Sequence, residues 1–168
     1  MTIWEINRIS SGAFTTALGG IFEHSPWVAE RASAARPFAD IAALHDAMMA
    51  AVRGATDDMQ LTLIRAHPEL AGKAAIRGEL TADSTMEQSR AGLNQCSAVE
   101  LARLTALNAA YGAKFGFPFI LAVKGYDRAG ILREFAQRVD RDRDTEFEEA
   151  LTQIARITRS RLDALLAE

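Results

Sequence analysis

The chain of 168 residues has a single cysteine and only four prolines, and its charges nearly balance. One cysteine, Cys96, can form neither an internal disulfide nor a thiolate metal cluster, which favours a reducing compartment. A formal net charge of −3 argues against a surface built for the phosphate backbone of nucleic acids. No apolar run approaches the roughly 20 residues that span a bilayer. We therefore expect neither a nucleic-acid partner nor a membrane partner.

Targeting signals are also missing from the sequence. The N-terminal residues lack a basic region followed by an apolar one, so we expect no secretory signal. The last residues do not form a peroxisomal Ser-Lys-Leu address. Together with the single cysteine, these features predict a cytoplasmic protein.

Helical patterns fill the rest of the sequence. Hydrophobic residues make up 49% of the chain and charged residues 24%, which is typical of a globular domain. Apolar residues recur at helical spacing in most segments, and no set of alternating strands is present. We predict an all-α fold: a single compact domain over residues 1–168 with about seven to nine helices and a buried extended loop.

Capping residues and breakers set the expected helix boundaries. Ser84 and Ser97 each stand three residues before a glutamate and match a capping box. The run 116–125 contains Pro118 and is too short for a helix, so we predict that it is the buried extended loop. Helices are predicted at 13–19, from the Ser25-Pro26 start to 32, from an Asp40 cap to 53, and at 55–66, 84–93, 97–115, 129–139 and 144–166.

His67 is the first candidate for chemistry. It stands between the helix 55–66 and Pro68, which disfavours helical geometry at the preceding residue. The C-terminal end of a helix favours the protonated imidazole, which suits a proton donor. If Pro68 instead began a new helix through Ala75, His67 would lie at an N-terminus and its protonation would be disfavoured. In a third interpretation His67 only caps a helix and bonds to nearby backbone.

Two side chains and the extended loop are further candidates, each with a structural alternative. Glu87 is either a functional carboxylate or the capping-box partner of Ser84. Arg161 falls on or beside the apolar face of the last helix, so it must either extend to solvent or pair with an anion, such as a substrate carboxylate or Glu87. The backbone N–H groups of residues 119–123 either bond another part of the fold or hold a polar ligand.

Motifs for metals and nucleotides are absent from the sequence. The three histidines show no metal-binding spacing, and no Gly-x-Gly-x-x-Gly or phosphate-binding loop is present, so we expect neither a metal nor a nucleotide cofactor. An acid–base histidine, a carboxylate, an arginine and a backbone cradle suit a small anionic substrate and proton-transfer chemistry.

Four motifs occur in register along the chain: Phe22-Glu-His-Ser-Pro-Trp27, Ala66-His-Pro-Glu-Leu-Ala-Gly72, Leu80-Thr-x-x-Ser-x-x-Glu-Gln88 and Lys114-Phe-Gly-Phe-Pro-Phe-Ile120. Together they resemble the 2-oxo-4-hydroxy-4-carboxy-5-ureidoimidazoline (OHCU) decarboxylase family of urate degradation, over about residues 22–162. The resemblance implies an all-helical homodimer that decarboxylates this ureidoimidazoline without a cofactor. The product would be (S)-allantoin, at the last step of the urate-to-allantoin pathway.

The resemblance also assigns site residues. It places the proton-donating histidine on His67 and makes His67, Glu87 and Arg161 the expected catalytic residues. The expected substrate contacts are Pro68, Ser84, Thr85, Met86, Glu87, Gln88, Phe119, Ile120, Leu121, Ala122, Val123 and Arg161. Two other functions stay open: a non-catalytic helical binding or interaction module, and another ring-acting enzyme of the same pathway.

Overall fold

Helices make up almost all of the regular structure. The computed structural model describes residues 1–166, and this part of the chain contains no β-strand, so the predicted all-α fold is confirmed. Its helices are α1 (Ile3–Ile6), α2 (Ser11–Leu18), α3 (Trp27–Ala32), α4 (Ile41–Arg53), α5 (Asp57–Ala66), α6 (Lys73–Ile76), α7 (Ala82–Arg90), α8 (Ala98–Phe115), α9 (Arg128–Arg138) and α10 (Arg143–Leu165), with 3₁₀ turns at Ser33–Ala35 and Leu93–Gln95. Eight of these ten α-helices have six residues or more, within the predicted number; the four-residue α1 and α6 were not predicted.

The described chain divides into two compact units. Unit 1 comprises Met1–Ala66 and the C-terminal segment from Ile154, and unit 2 comprises His67–Gln153. Helix α10 contributes its first part to unit 2 and its remainder to unit 1. A single domain over residues 1–168 therefore stays a prediction, and Ala167 and Glu168 lie outside the described residues.

The helices of unit 1 surround a mainly aliphatic core, which also contains the buried rings of Phe14, Phe22 and Phe38. Its fully buried residues include Phe14, Leu18, Val28, Leu44, Met48, Val52, Ile154 and Leu162. Asp40 caps α4 as predicted, because its carboxylate accepts the N–H of Ala43 at 2.7 Å. The predicted Ser25 cap of α3 is wrong: the helix begins after Pro26, and the Ser25 hydroxyl donates to the Glu23 carbonyl instead, at 2.9 Å.

Unit 2 has an aromatic core. The ring of Tyr111 contacts those of Phe115, Phe117 and Phe119, and Phe119 stacks on Phe135 with 3.9 Å between ring centroids. These contacts join α8 and α9 to the non-helical residues 116–125. The predicted buried extended loop is confirmed, since most of its apolar side chains lie in this core.

Of the two predicted capping boxes in unit 2, one is present. Ser97 and Glu100 form the box that begins α8. The Ser84–Glu87 box is wrong, because α7 begins one turn earlier: Thr81 is its N-cap and accepts the N–H of Ser84 at 3.3 Å. Glu87 therefore lies within α7, and its carboxylate is not explained by helix capping.

Candidate functional site

His67 opens a non-helical segment of unit 2, residues 67–72, which we call the His67 loop. Helix α5 ends at Ala66 and α6 begins only at Lys73, so the alternative in which Pro68 starts a helix is wrong. His67 directly follows the C-terminus of α5, as predicted from Pro68. Its side chain, including Nε2, is buried, with 6% of the residue exposed.

The backbone of the His67 loop is strained at its end. Ala71 has a φ of 48°, in the left-handed region that a residue with a side chain rarely occupies. The next residue must be glycine, because a Cβ on Gly72 would lie 2.7 Å from the Cβ of Glu69. Such a conformation persists only where surrounding contacts hold it.

Two buried amide side chains provide those contacts. Gln88 of α7 accepts the N–H of Ala71 at 2.9 Å and donates to the Glu69 carbonyl at 3.3 Å. Asn108 of α8 donates through Nδ2 to the Leu70 carbonyl at 3.0 Å. Side chains from two helices thus fix three consecutive residues of the His67 loop.

Helix α7 divides its five predicted contact residues between two faces. Ser84 and Gln88 are buried and Glu87 is half-buried, and their spacing of three and four residues places them on one face. Thr85 and Met86 are exposed; Met86 retains 43% of its accessible surface, and the Thr85 hydroxyl donates to the Thr81 carbonyl. The face with Glu87 is therefore the one from which Gln88 reaches the His67 loop.

Only some of the backbone N–H and C=O groups of residues 119–123 form hydrogen bonds within the described part of the chain. The Ile120 carbonyl accepts from Nη1 of Arg138 at 2.8 Å, and the Ala122 N–H donates to Oε1 of Gln153 at 3.0 Å. The other four amides, those of Phe119, Ile120, Leu121 and Val123, donate to no acceptor within residues 1–166. Ala122 therefore follows the alternative in which the loop bonds another part of the fold. For the other four amides, the alternative in which they hold a polar ligand stays open.

Helix α8 contacts both loops from adjacent positions. Asn108 binds the His67 loop, and Tyr111 packs against Phe119 with 5.5 Å between ring centroids. Three residues of α-helix advance about 4.5 Å along the axis. The two loops of unit 2 that carry candidate residues therefore meet the same turn of α8.

A buried charge network supports the 119–123 loop, and the sequence prediction missed it. Arg138 and Glu146 are both fully buried, and Nη2 of the arginine lies 2.9 Å from Oε2 of the glutamate. The Tyr111 hydroxyl also donates to Glu146, and the Arg138 guanidinium lies 4.4 Å from the centre of the Phe119 ring. Burial and the adjacent carboxylate raise the pKa of Tyr111 far above its ordinary value, so it stays a hydroxyl donor. A sequence signal was available, because Arg138 continues the apolar stripe of α9.

Arg161 lies in unit 1, and its partner there was not predicted. The residue is 6% exposed, so the alternative in which it extends to solvent is wrong. Its Nη1 lies 2.9 Å from Oε2 of Glu23 and donates to the Ile21 carbonyl at 3.3 Å. Arg161 therefore pairs with an anion, as one of the two alternatives predicted. The anion observed, Glu23 of the Phe22–Trp27 motif, was not among the candidates named from the sequence. The neighbouring His24 is exposed, with a φ of 47°.

Two general features complete the description of residues 1–166. This part of the chain holds no group of three His, Cys, Asp or Glu side chains arranged to bind a metal ion. None of its helices combines the length and the apolar character that crossing a membrane requires.

Residues 1–166 thus form a protein of the all-helical class, in which a buried histidine lies on a loop held by two buried amide side chains. The family model described as OHCU decarboxylase matches residues 7–163, and the chain belongs to this family. It is 41% identical over 162 residues to the 2-oxo-4-hydroxy-4-carboxy-5-ureidoimidazoline decarboxylase of Haloferax volcanii, covering 96% of this chain and 94% of that protein.

Longer relatives contain a region similar to this chain. The uric acid degradation bifunctional protein PucL of Bacillus subtilis is 41% identical over 167 residues, covering 99% of this chain. The chain spans 33% of that protein's length. A solved structure described as (S)-allantoin synthase superposes with a TM-score of 0.79 at 31% identity, covering 99% of this chain and 54% of that one. The family and the fold follow from these similarities, while the roles of individual site residues stay predictions.

Proposed function

We propose that this chain decarboxylates OHCU to (S)-allantoin, without a cofactor, as the last step from urate to allantoin. Its family membership and its similarity to the Haloferax decarboxylase support this proposal. The observation that carries it is that two loops meet on one turn of α8. One bears a buried histidine, and the other has four amides that donate to no acceptor in the described part of the chain. Such an arrangement can hold a small polar ligand beside a proton donor.

The chemistry of the substrate explains how the reaction can proceed without a cofactor. Breaking the bond to the carboxylate releases carbon dioxide and leaves an electron pair on the ring carbon. The adjacent ring C=N accepts that pair, so no external electron sink is required. The ring nitrogen takes up a proton, and the two ring carbons are left joined by a double bond as an enol. The enol hydroxyl then loses its proton to become a carbonyl, while a proton adds to the adjacent carbon that bears the ureido group. Delivery of that proton to one face fixes the configuration of the product.

The proposed roles in unit 2 follow from position. His67 assists departure of the carboxylate or protonates the ring. The amides of residues 119, 120, 121 and 123 bind the polar edge of the ligand. Glu87 orients the ureido and ring N–H groups from the α7 face that carries Gln88. Thr85 and Met86 are exposed, and we assign them no side-chain role.

Two parts of the proposal rest mainly on the family resemblance, namely the ligand contacts of Arg161 and Pro68 and the homodimer. Arg161 would hold an anionic or carbonyl group of the ligand, and Pro68 would contact it. The active form would be a homodimer, which light scattering coupled to size-exclusion chromatography can test. A cytoplasmic location agrees with the single cysteine.

A coupled assay tests the activity. Urate oxidase and hydroxyisourate hydrolase generate the unstable substrate from urate, and circular dichroism follows the product after this protein is added. We expect rapid formation of optically active (S)-allantoin. Racemic product at the spontaneous rate would refute the proposal and favour a non-catalytic module.

His67→Asn tests the catalytic role of His67. Because removal of a general acid or base slows reactions by about 10²- to 10⁴-fold, we expect at least a hundredfold loss of kcat in a variant with an unchanged far-UV spectrum. Near-normal turnover of freshly generated substrate would remove His67 from the mechanism.

The two structural explanations on which the non-catalytic module relied are wrong, although the pair with Glu23 gives Arg161 a different structural role. The module required a capping role for Glu87 and an exposed Arg161. Glu87 lies inside α7, and Arg161 is buried. No observation in the described residues favours it over the decarboxylase.

A further inference from the structure

Asn108 lies on the buried face of α8, at a position where the helical spacing of the neighbouring apolar residues predicts an apolar side chain. The buried residues of this helix are Leu104, Asn108, Tyr111 and Phe115, at the spacing of one helical face. The spacing of Leu101, Leu104, Leu107 and Tyr111 in the sequence would predict Leu107 on this face, but Leu107 is only half-buried. Asn108 is 6% exposed, so its amide has been taken out of water.

The side-chain amide of Asn108 forms a hydrogen bond through its nitrogen but not, within residues 1–166, through its oxygen. Nδ2 donates to the Leu70 carbonyl, whereas Oδ1 is buried and accepts no hydrogen bond within residues 1–166. A buried acceptor without a donor costs about 1 to 3 kcal/mol. An asparagine at this position is therefore poorly explained by stability, and the single bond to Leu70 is what distinguishes it from leucine.

That bond acts at the centre of the strained segment. Gln88 bonds the backbone at Glu69 and Ala71, and Asn108 bonds the carbonyl of Leu70 between them. Without Asn108 the buried Leu70 carbonyl would lose its donor. The peptide between Leu70 and Ala71 could then rotate, since Ala71 would relax from its positive φ.

We infer that Asn108 is a positioning residue, which fixes the backbone of the His67 loop and through it the place of the His67 imidazole. The inference rests on the proposed function in one respect, namely that His67 is the proton-donating group. Asn108 acts through the loop backbone and touches no reacting atom. A misplacement of about 1 Å in such a group can lower a rate about a hundredfold.

Asn108→Leu is the main test, because leucine removes both the bond to Leu70 and the unbonded oxygen while filling a similar volume. We expect kcat to fall about 10- to 100-fold, with KM within about threefold. The melting temperature should stay close to that of the wild type, because an unbonded Leu70 carbonyl replaces the unbonded Oδ1 of Asn108. Hydrogen exchange of a peptide covering residues 67–72 should become faster. Unchanged kcat and unchanged exchange in this peptide would overturn the inference.

Asn108→Asp separates the hydrogen bond from the shape of the side chain. An ionised carboxylate cannot donate to the Leu70 carbonyl, but the protonated acid can, and burial raises the pKa of such a group. We expect kcat of this variant, divided by that of Asn108→Leu at the same pH, to rise as pH falls from 8 to 5. A ratio independent of pH would contradict a role for the donated bond, and a purely structural residue would not produce such a profile.

A double-mutant comparison shows whether Asn108 acts through His67. In a His67→Asn background, Asn108→Leu should lower the remaining rate by less than about threefold. A full additional loss there would show that Asn108 acts elsewhere.

The matched control is Gln60→Leu. Gln60 is another buried amide, bonded in unit 1 to the Val52 carbonyl at 2.9 Å. It should lose stability while keeping its kcat. If Asn108→Leu instead loses activity only in proportion to its unfolded fraction, its role is structural and the inference fails.

The exchange measurement keeps the two proposals distinguishable. If the wild-type protein forms no (S)-allantoin, the proposed function fails, and exchange of residues 67–72 in Asn108→Leu still decides whether Asn108 holds the loop. If the wild type is active but neither kcat nor exchange responds to Asn108→Leu, only the positioning role fails.

Discussion

Arg138 in unit 2 and Arg161 in unit 1 are both buried and both bind a glutamate, but they contact different parts of the chain. Arg138 binds Glu146 through Nε and Nη2 and the Ile120 carbonyl through Nη1, and it lies against the Phe119 ring. Arg161 binds Glu23 and the Ile21 carbonyl through Nη1.

This difference shows that burial of an arginine does not by itself identify a substrate-binding group. Breaking either ion pair would leave an uncompensated buried charge, so each arginine has a structural reason for its charge. The Arg138 network also touches the backbone of the 119–123 loop, and it can therefore influence ligand binding without contacting the ligand. For Arg161, the corresponding question is which part of the chain its ion pair with Glu23 stabilises.

The largest expected effect is that of Arg138→Met. Removing the guanidinium leaves Glu146 fully buried without its main partner, which we expect to lower the free energy of unfolding by about 3 to 5 kcal/mol. Urea denaturation measures this value. The control is Arg141→Met: Arg141 contacts the same carboxylate at 3.4 Å but is 39% exposed, so a loss below about 1 kcal/mol is expected. Equal losses in the two variants would mean that burial does not distinguish them.

A smaller effect is expected for Glu23→Gln. The amide keeps the shape of the side chain but replaces a charged acceptor beside Arg161 with a neutral one. We expect a loss of about 1.5 to 3 kcal/mol, below that of Glu146→Gln measured in the same way, because Glu146 accepts bonds from Tyr111, Arg138 and Arg141.

The exposed pair of Arg159 with Asp163 provides the control for Glu23→Gln. Asp163→Asn should change the free energy of unfolding by less than about 1 kcal/mol. A Glu23→Gln loss of that same size would show that the Arg161 pair is no stronger than a surface pair.

The smallest effect is expected for Tyr111→Phe, which removes one donor from Glu146 and leaves the Arg138 pair intact. At pH 8 the loss should be about 1 to 1.5 kcal/mol. Burial and then the Glu146 carboxylate raise the pKa of Tyr111 in the folded state above the unfolded value of about 10. The hydroxyl therefore contributes stability below pH ~10 that is lost as the pH rises above this value.

Denaturation of the wild type and Tyr111→Phe at pH 8 and at pH 10.5 tests this sign. The stability difference between the two proteins should shrink at the higher pH. A difference that grows would mean that the phenolate is favoured in the folded protein, contrary to the position of Glu146.

Most helix boundaries were predictable because they depend on local chemistry. The Asp40 cap, the Ser97–Glu100 box and the break at Pro68 act within one helical turn, and all three are present. The errors arose where two local signals competed. Thr81 and Ser84 are both suitable N-caps three residues apart, and the helix begins after the first.

Site residues were predictable in part, for a different reason. His67, Glu87 and Arg161 were selected because a lone titratable group near a helix end or an apolar face requires an explanation. Glu23, Arg138 and Asn108 were missed. Arg138 and Asn108 each lie at helical spacing among apolar residues, which is the feature that drew attention to Arg161. Their meaning depends on partners far away in the sequence, which spacing alone does not reveal.

By itself the sequence determined the all-α fold, the position of His67 after a helix, and membership in the OHCU decarboxylase family, since periodicity, caps and ordered motifs are local or linear properties. The tertiary structure alone decided that Arg161 pairs with Glu23 and that Asn108 reaches Leu70. It also decided that four amides of the 119–123 loop find no acceptor within residues 1–166. Whether a hydrogen bond or ion pair forms depends on differences of a few tenths of an ångström in the distance between two groups. The side chains concerned lie up to 138 residues apart in the sequence, and only the packed chain sets the distance between them.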